Sequence, residues 1–151
     1  MIKINELKIG NAVKYNNGLL GYVYSIHSPM PIKDSVFSDK PYVTLFTNGL
    51  TDVLVEDLEP IFLTKEMLYP MFPVTYRTDK SDVFILENFM ITYVLNGRFK
   101  GKRYLKYANI TFEDFGEFKA LHQFQNLYYN MTGKELVLPS LASFGLGSLK
   151  N

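Results

Sequence analysis

Leu7-Lys8-Ile9-Gly10-Asn11-Ala12-Val13-Lys14-Tyr15-Asn16-Asn17-Gly18 decides how the fold is read. Apolar and polar side chains alternate through residues 7–15, as in a half-buried strand. Asn-Asn-Gly then supplies residues that tolerate positive φ, the signal of a tight hairpin. Residues 19–26 carry the returning strand, with Gly21 a candidate bulge. The pattern repeats further along. Pro41-Tyr42-Val43-Thr44-Leu45-Phe46-Thr47 is a strand, Asn48-Gly49 a two-residue turn, and residues 50–55 pair back across it. Between the hairpins, residues 27–40 hold Pro, Ser and Asp and read as a long exposed loop. Short strands on tight turns predict a small SH3-like barrel over residues 1–62.

Thr64 is placed to cap a short helix at Lys65-Glu66-Met67-Leu68, which Pro70 and Pro73 keep short. Residues 75–81 are polar and loop-like. Residues 82–95 read as a strand pair turning near Glu87-Asn88. Asn96-Gly97 marks the next turn, and residues 103–110 form a further strand. Together these predict a three- or four-stranded antiparallel meander. Thr111 opens a helix start with Asp114 three residues on, in the manner of a capping box. Phe112, Phe115, Phe118, Leu121, Phe124, Leu127, Tyr128 and Met131 recur every three or four residues, which predicts an amphipathic helix of roughly 20 residues. Gly133 suits the position just past its end.

The expected fold class is therefore α+β. An N-terminal SH3-like small β-barrel (1–62) is followed by a short helix, an antiparallel β-meander and one long C-terminal amphipathic helix (63–138). These pack with the barrel as one unit, and an apolar Gly/Ser tail (139–151) follows.

Composition narrows the function classes. The chain has 151 residues, 47% apolar and 21% charged, which is globular rather than disordered. Aromatics reach 15%, with 12 Phe, 11 Tyr and no Trp, enough to build a core and to leave Tyr for a contact surface. A net charge of +1 means that a nucleic-acid partner needs a local basic patch. With no Cys, disulfides, thiolate zinc sites and a Cys nucleophile are excluded. No apolar run approaches the roughly 20 residues that span a bilayer, and the N-terminus lacks the apolar region of a signal peptide. The expected location is the cytoplasm, that of the host or else a virion if the chain is phage-encoded, with no membrane partner.

Three stretches carry a resemblance. They are residues 7–11, Leu58-Glu59-Pro60-Ile61-Phe62-Leu63-Thr64-Lys65-Glu66, and His122-Gln123-Phe124-Gln125-Asn126-Leu127-Tyr128 running through Thr132-Gly133-Lys134-Glu135-Leu136. They resemble signatures of a family of small uncharacterised proteins from gut Bacteroidetes, their prophages and their phages. The resemblance covers residues 1–138, and its last stretch is the most specific. The family has no assigned activity, so the resemblance implies a phage or mobile-element setting and no chemistry. The chain departs from the pattern between residues 67 and 77, where Tyr69-Pro70-Met71-Phe72-Pro73 replaces a longer helix, and again in the tail.

Few constellations carry chemistry. Arg98, Lys100, Lys102, Arg103, Tyr104 and Lys106 interleave cations with aromatics around a hairpin, and cations neutralise phosphates while aromatic rings stack on bases. In a strand, alternation divides these charges between two faces. His27 and His122 lack the spacing of a metal pair and read as structural, with no metal and no cofactor expected. Glu56, Asp57 and Glu59 lie in a polar turn, and Glu113, Asp114 and Glu117 suit a helix start. No assembled set of catalytic roles accompanies them, so an enzyme is not expected. Gly145-Leu146-Gly147-Ser148 lacks the Lys and Ser/Thr of a phosphate loop. Leu141, Phe144, Leu146 and Leu149 make the tail a candidate partner-binding segment.

These readings predict a non-enzymatic binding or assembly protein, such as a virion connector or ring component, with a protein partner and homo-oligomers. The competing reading is an anti-defence inhibitor that binds a host protein or signalling nucleotide, or a nucleic-acid-binding module using the hairpin 98–106.

Overall fold

The Asn-Asn-Gly turn joins the strands its residues predict. β1 (Ala12–Tyr15) and β2 (Leu19–His27) pair antiparallel across it, with Asn16 at φ +44°. β3 (Tyr42–Phe46) and β4 (Leu50–Leu54) form the second hairpin, and the sheet runs in the order β1-β2-β3-β4. The computed structural model describes residues 2–16, 18–29, 39–72, 74–108, 110–112 and 120–139, without the side chains of 74, 75 and 110–112.

The chain divides into two units, residues 1–62 with 120–135 and residues 63–119 with 136–151. In the first, one sheet face buries Val13, Val23, Val43, Leu45 and Val53 together with Ile2, Leu7, Tyr15, Val55 and Leu58. A side chain on Gly21 would bring its Cβ to 3.1 Å from Leu45 Cβ, tighter than ordinary contact, so a larger residue there would press on β3. The bulge predicted at Gly21 falls instead at Tyr24, where the register shifts between Val23 and Ser25.

The predicted SH3-like barrel does not form. The four strands make an open sheet, and among the described residues no fifth strand closes it. After β4 the chain makes a 3-10 turn (Val55–Asp57) and touches β1 through one bridge, Lys14 to Glu59. Pro60 follows and has no N–H to extend a ladder. The next outward donor on the same edge of β1, the Ala12 N–H, is taken by the side chain of Gln125 at 3.0 Å.

Gln125 lies on the second helix, and here too the structure corrects the sequence reading. The expected long helix from Thr111 is absent. Residues 110–112 form the strand β9 (Ile110–Phe112), and the helix α2 (Leu121–Thr132) has 12 residues. The Phe spacing suited a helix, but Ile, Thr and Phe in sequence favour a strand once a partner edge is at hand. The capping acids Glu113, Asp114 and Glu117 lie outside the described residues. α2 belongs to the first unit. It ends at Gly133 in the left-handed region (φ +70°), as its sequence predicts.

Polar residues of α2 hold the N-terminal segment. Gln125 Nε2 donates to the Gly10 carbonyl at 3.1 Å, and Asn126 Nδ2 donates to the Glu6 carbonyl at 2.6 Å. Asn126 Oδ1 accepts from Asn11 Nδ2 at 3.0 Å, and Asn11 Oδ1 accepts from the Lys8 N–H at 2.8 Å. The Leu121 N–H donates to the Ile61 carbonyl at 2.8 Å. Residues from the stretches 7–11, 58–66 and 122–136 thus meet in one hydrogen-bonded clamp.

The second unit holds a five-stranded antiparallel sheet in the order β5-β6-β7-β8-β9. Its strands are β5 (Val74–Arg77), β6 (Ser81–Leu86), β7 (Phe89–Val94), β8 (Arg103–Tyr107) and β9. The sequence reading had residues 75–81 as loop; β5 occupies the first part of that stretch. Helix α1 (Lys65–Met71) follows Thr64, whose side chain makes no cap, and Pro70 lies inside its last turn. α1 and the residue after it supply Tyr69, edge-on to Phe84 at 5.2 Å, and Phe72, stacked on Phe89 at 6.4 Å. Among the described residues, no helix is long and apolar enough to cross a membrane.

Candidate functional site

Residues paired across an antiparallel ladder project from the same face of the sheet. In the second unit Arg77 stands opposite Asp82, Asp82 opposite Tyr93, and Tyr93 opposite Arg103. These four make one polar row across four strands. The next row on that face is apolar, with Phe84, Ile91 and Leu105 all buried. The face is therefore a core in its middle and charged at one end.

A bulge in β5 decides which side chain enters the row. Val74 pairs with Phe84, and regular pairing from there would set Tyr76 against Asp82. The register shift between Val74 and Tyr76 sets Tyr76 against Val83 and Arg77 against Asp82 instead. Bulges re-aim side chains in this way. Tyr76 is left exposed.

Asp82 is the centre of the row, with 0% of its side chain exposed. Its Oδ1 accepts from Arg77 Nε at 2.7 Å. Its Oδ2 accepts from the Tyr69 hydroxyl at 2.7 Å and from Lys65 Nζ at 3.2 Å. Arg77 Nη2 also donates to the Tyr69 oxygen. Burial pushes the Asp82 carboxyl up, but the hydrogen bonds from Tyr69, Arg77 and Lys65 together outweigh it and hold the group below the ordinary carboxylate value. Lys65 is raised, chiefly by its hydrogen bond to Asp82. Two rings flank the cations: Lys65 Nζ lies 5.7 Å from the Tyr69 centroid and 5.9 Å from that of Tyr93, and the Arg77 guanidinium 5.4 Å from that of Tyr69. The carboxylate is enclosed by its partners, while Lys65 and Arg77 remain 24% and 59% exposed.

The hairpin loop 95–102 extends this end of the sheet. It is closed by the Gly101 N–H to the Val94 carbonyl at 2.8 Å and the Val94 N–H to the Lys102 carbonyl at 3.0 Å. The Leu95 N–H reaches the Lys80 carbonyl at 2.7 Å, and Asn96 Nδ2 donates to the Asp79 carbonyl, so the loop is tied to the β5–β6 turn. Lys65, Arg77, Lys80, Arg98, Lys100, Lys102 and Arg103 thus gather at one end, against Asp79 and Asp82. Phe99 stands out of the loop, 48% exposed. The Arg98 guanidinium is 5.8 Å and Lys102 Nζ 5.6 Å from its ring centroid.

The structure separates the six residues singled out in sequence. Arg98, Lys100 and Lys102 lie on the loop, and Arg103 opens the strand on the Asp82 face. Tyr104 and Lys106 pair with Thr92 and Met90 and so project from the opposite face. Lys65, Tyr69, Arg77, Asp82 and Tyr93 were missed. Asp82 carried the one available signal, a charge heading the apolar run Val83-Phe84-Ile85-Leu86. Leu141, Phe144, Leu146 and Leu149 lie outside the described residues.

The other constellations organise less chemistry. His27 stacks on Tyr42 at 4.4 Å, and its Nε2 meets both Ser25 Oγ at 2.7 Å and Thr44 Oγ1 at 3.1 Å. Thr44 in turn donates to Asp52 Oδ1 at 2.7 Å. The carboxylate is thus linked to the same ring nitrogen as the serine, whereas a serine triad needs it on the other. His122 is 1% exposed, neither ring nitrogen has a hydrogen-bond partner, and Glu6 Oε2 lies 3.6 Å from Nε2. Burial pushes His122 down more strongly than Glu6 pulls it up, so the ring is neutral at pH 7. Glu56 pairs with Lys40 at 2.6 Å on the surface. Tyr128 is buried and Tyr129 exposed beneath Lys8. Among the described residues no group of three His, Asp or Glu side chains is placed to hold a metal ion.

Comparison with family models, with curated proteins and with solved structures finds no match for this chain.

Proposed function

We propose that the chain is a non-enzymatic binding protein of a phage or mobile element, and that it holds single-stranded nucleic acid on the charged end of the five-stranded sheet. The setting rests on the sequence resemblance. The ligand rests on one observation: Phe99 is an exposed ring with the Arg98 guanidinium 5.8 Å and Lys102 Nζ 5.6 Å from its centroid, on a loop tied into a cluster of cations. A base stacks on such a ring whatever its identity, while the cations neutralise the flanking phosphates. An exposed ring suits an unstacked base, which a single strand offers and a duplex does not. The assembly reading rests on the missing catalytic set, the aromatic surplus, the loop 27–40 and the apolar tail, and residues 30–38 and 140–151 lie outside the described residues. The nucleic-acid reading is therefore the one the geometry favours.

Fluorescence anisotropy with a labelled thymidine 20-mer, and with the same strand annealed to its complement, tests the proposal. Tighter binding of the single strand, weakened by added salt, is expected. Equal affinity for both forms, or no binding at low salt, would overturn it.

A further inference from the structure

We infer that Arg77 is a phosphate-binding residue of this surface, presenting the outer edge of its guanidinium to one backbone phosphate; this rests on the nucleic-acid reading above. A guanidinium has two usable edges and five N–H donors. One edge, formed by Nε and Nη2, is spent on Asp82 and the Tyr69 oxygen. The other edge, Nη1 with the second Nη2 proton, has no partner among the described residues, on a side chain that is 59% exposed. Fixing the first edge orients the second. A planar fork held in this way matches two oxygens of a phosphate, and less ordering remains to be done on binding.

The surroundings suit an anion. Asp82 is fully enclosed and already bonded at both oxygens, so it orients the fork without presenting a bare carboxylate to the ligand. Lys65 stands beside it on the same carboxylate. Arg103, in the same row, adds a further positive charge. Arg77 and Arg103 stand three strands apart, roughly 14 Å between backbones at ordinary strand spacing. The β5 bulge is the feature that puts an arginine rather than Tyr76 at this point.

The test compares wild type, Arg77→Gln, Arg77→Lys and Phe99→Ala, each checked for folding by circular dichroism. Binding of the labelled thymidine 20-mer is measured across a series of NaCl concentrations. Loss of one phosphate contact lowers the slope of log K against log salt by about 0.7 for a single strand. Arg77→Gln is expected to show that drop. Arg77→Lys is expected to keep the slope and bind several-fold more weakly, because a point charge replaces a fork. Phe99→Ala is expected to weaken binding with the slope unchanged. If the 20-mer binds, responds to Phe99→Ala, and keeps its slope in Arg77→Gln, the phosphate role of Arg77 is wrong and the nucleic-acid reading stands. If wild type binds no 20-mer but binds thymidine monophosphate or inorganic phosphate, and Arg77→Gln abolishes it, the anion site stands and the nucleic-acid reading fails. If wild type binds none of these probes, both fail.

Discussion

Gln125 does for Ala12 what a neighbouring strand would do: its Oε1 takes the Ala12 N–H at 3.0 Å, on the edge of β1 where a barrel would close. Its Nε2 serves the Gly10 carbonyl from the same side chain. A helix side chain thereby satisfies two main-chain groups that would otherwise face an unpaired edge. Such groups are costly to leave unmade in a protein interior.

Gln125→Ala is expected to lower stability by about 2–4 kcal/mol, since both groups lose their partner in a buried position. Gln125→Glu puts a carboxylate oxygen against the Gly10 carbonyl in a buried site, so at neutral pH it should cost at least as much as Gln125→Ala. Urea denaturation at neutral pH measures both. An Ala variant within about 0.5 kcal/mol of wild type would show that water replaces the side chain without penalty.

The same clamp separates what is legible in the sequence from what is not. Hairpins at residues 16–18, 48–49 and 87–88 were legible, because positive-φ residues mark a turn locally. The role of Gln125 and Asn126 was not. They read as the polar side of an amphipathic helix, and only the edge of β1 turns them inward. The start of α2 was hidden because Phe112, Phe115 and Phe118 continue the helical spacing into a stretch that begins as β9. β5 was hidden because its bulge breaks alternation. The Asp82 row depends on register across four strands, so no local pattern announces it.

Asp82→Asn is expected to cost about 2–3 kcal/mol, because three donors lose a charged acceptor while Arg77 and Lys65 regain water. The urea midpoint should fall with an unchanged slope. Tyr69→Phe should cost less, removing one hydrogen bond to the carboxylate and leaving the two cations in place.

Acid should destabilise the fold in two stages. His122 is held below the ordinary histidine value of about 6.5, so below that pH the unfolded chain takes up a proton that the folded chain refuses. Stability therefore falls as pH drops from about 6.5 towards the folded-state value. Asp82 is also held low, so its contribution is complete above the ordinary value of about 3.9 and is lost as pH falls through its folded-state value. Urea midpoints measured from neutral to acid pH should show both declines. His122→Met should remove the first and leave the second; a Met variant that declines like wild type between pH 7 and pH 5 would assign the first stage to another group.

The proposed grip on a single strand is Phe99 with the cations around it. Anisotropy of a labelled thymidine 20-mer, titrated with wild type and with Phe99→Ala at one low salt concentration, addresses it most directly. Loss of one stacked base predicts a rise in Kd of about 5- to 150-fold with the fold intact by circular dichroism. Equal affinities for the two proteins, or no binding by wild type, would contradict the account.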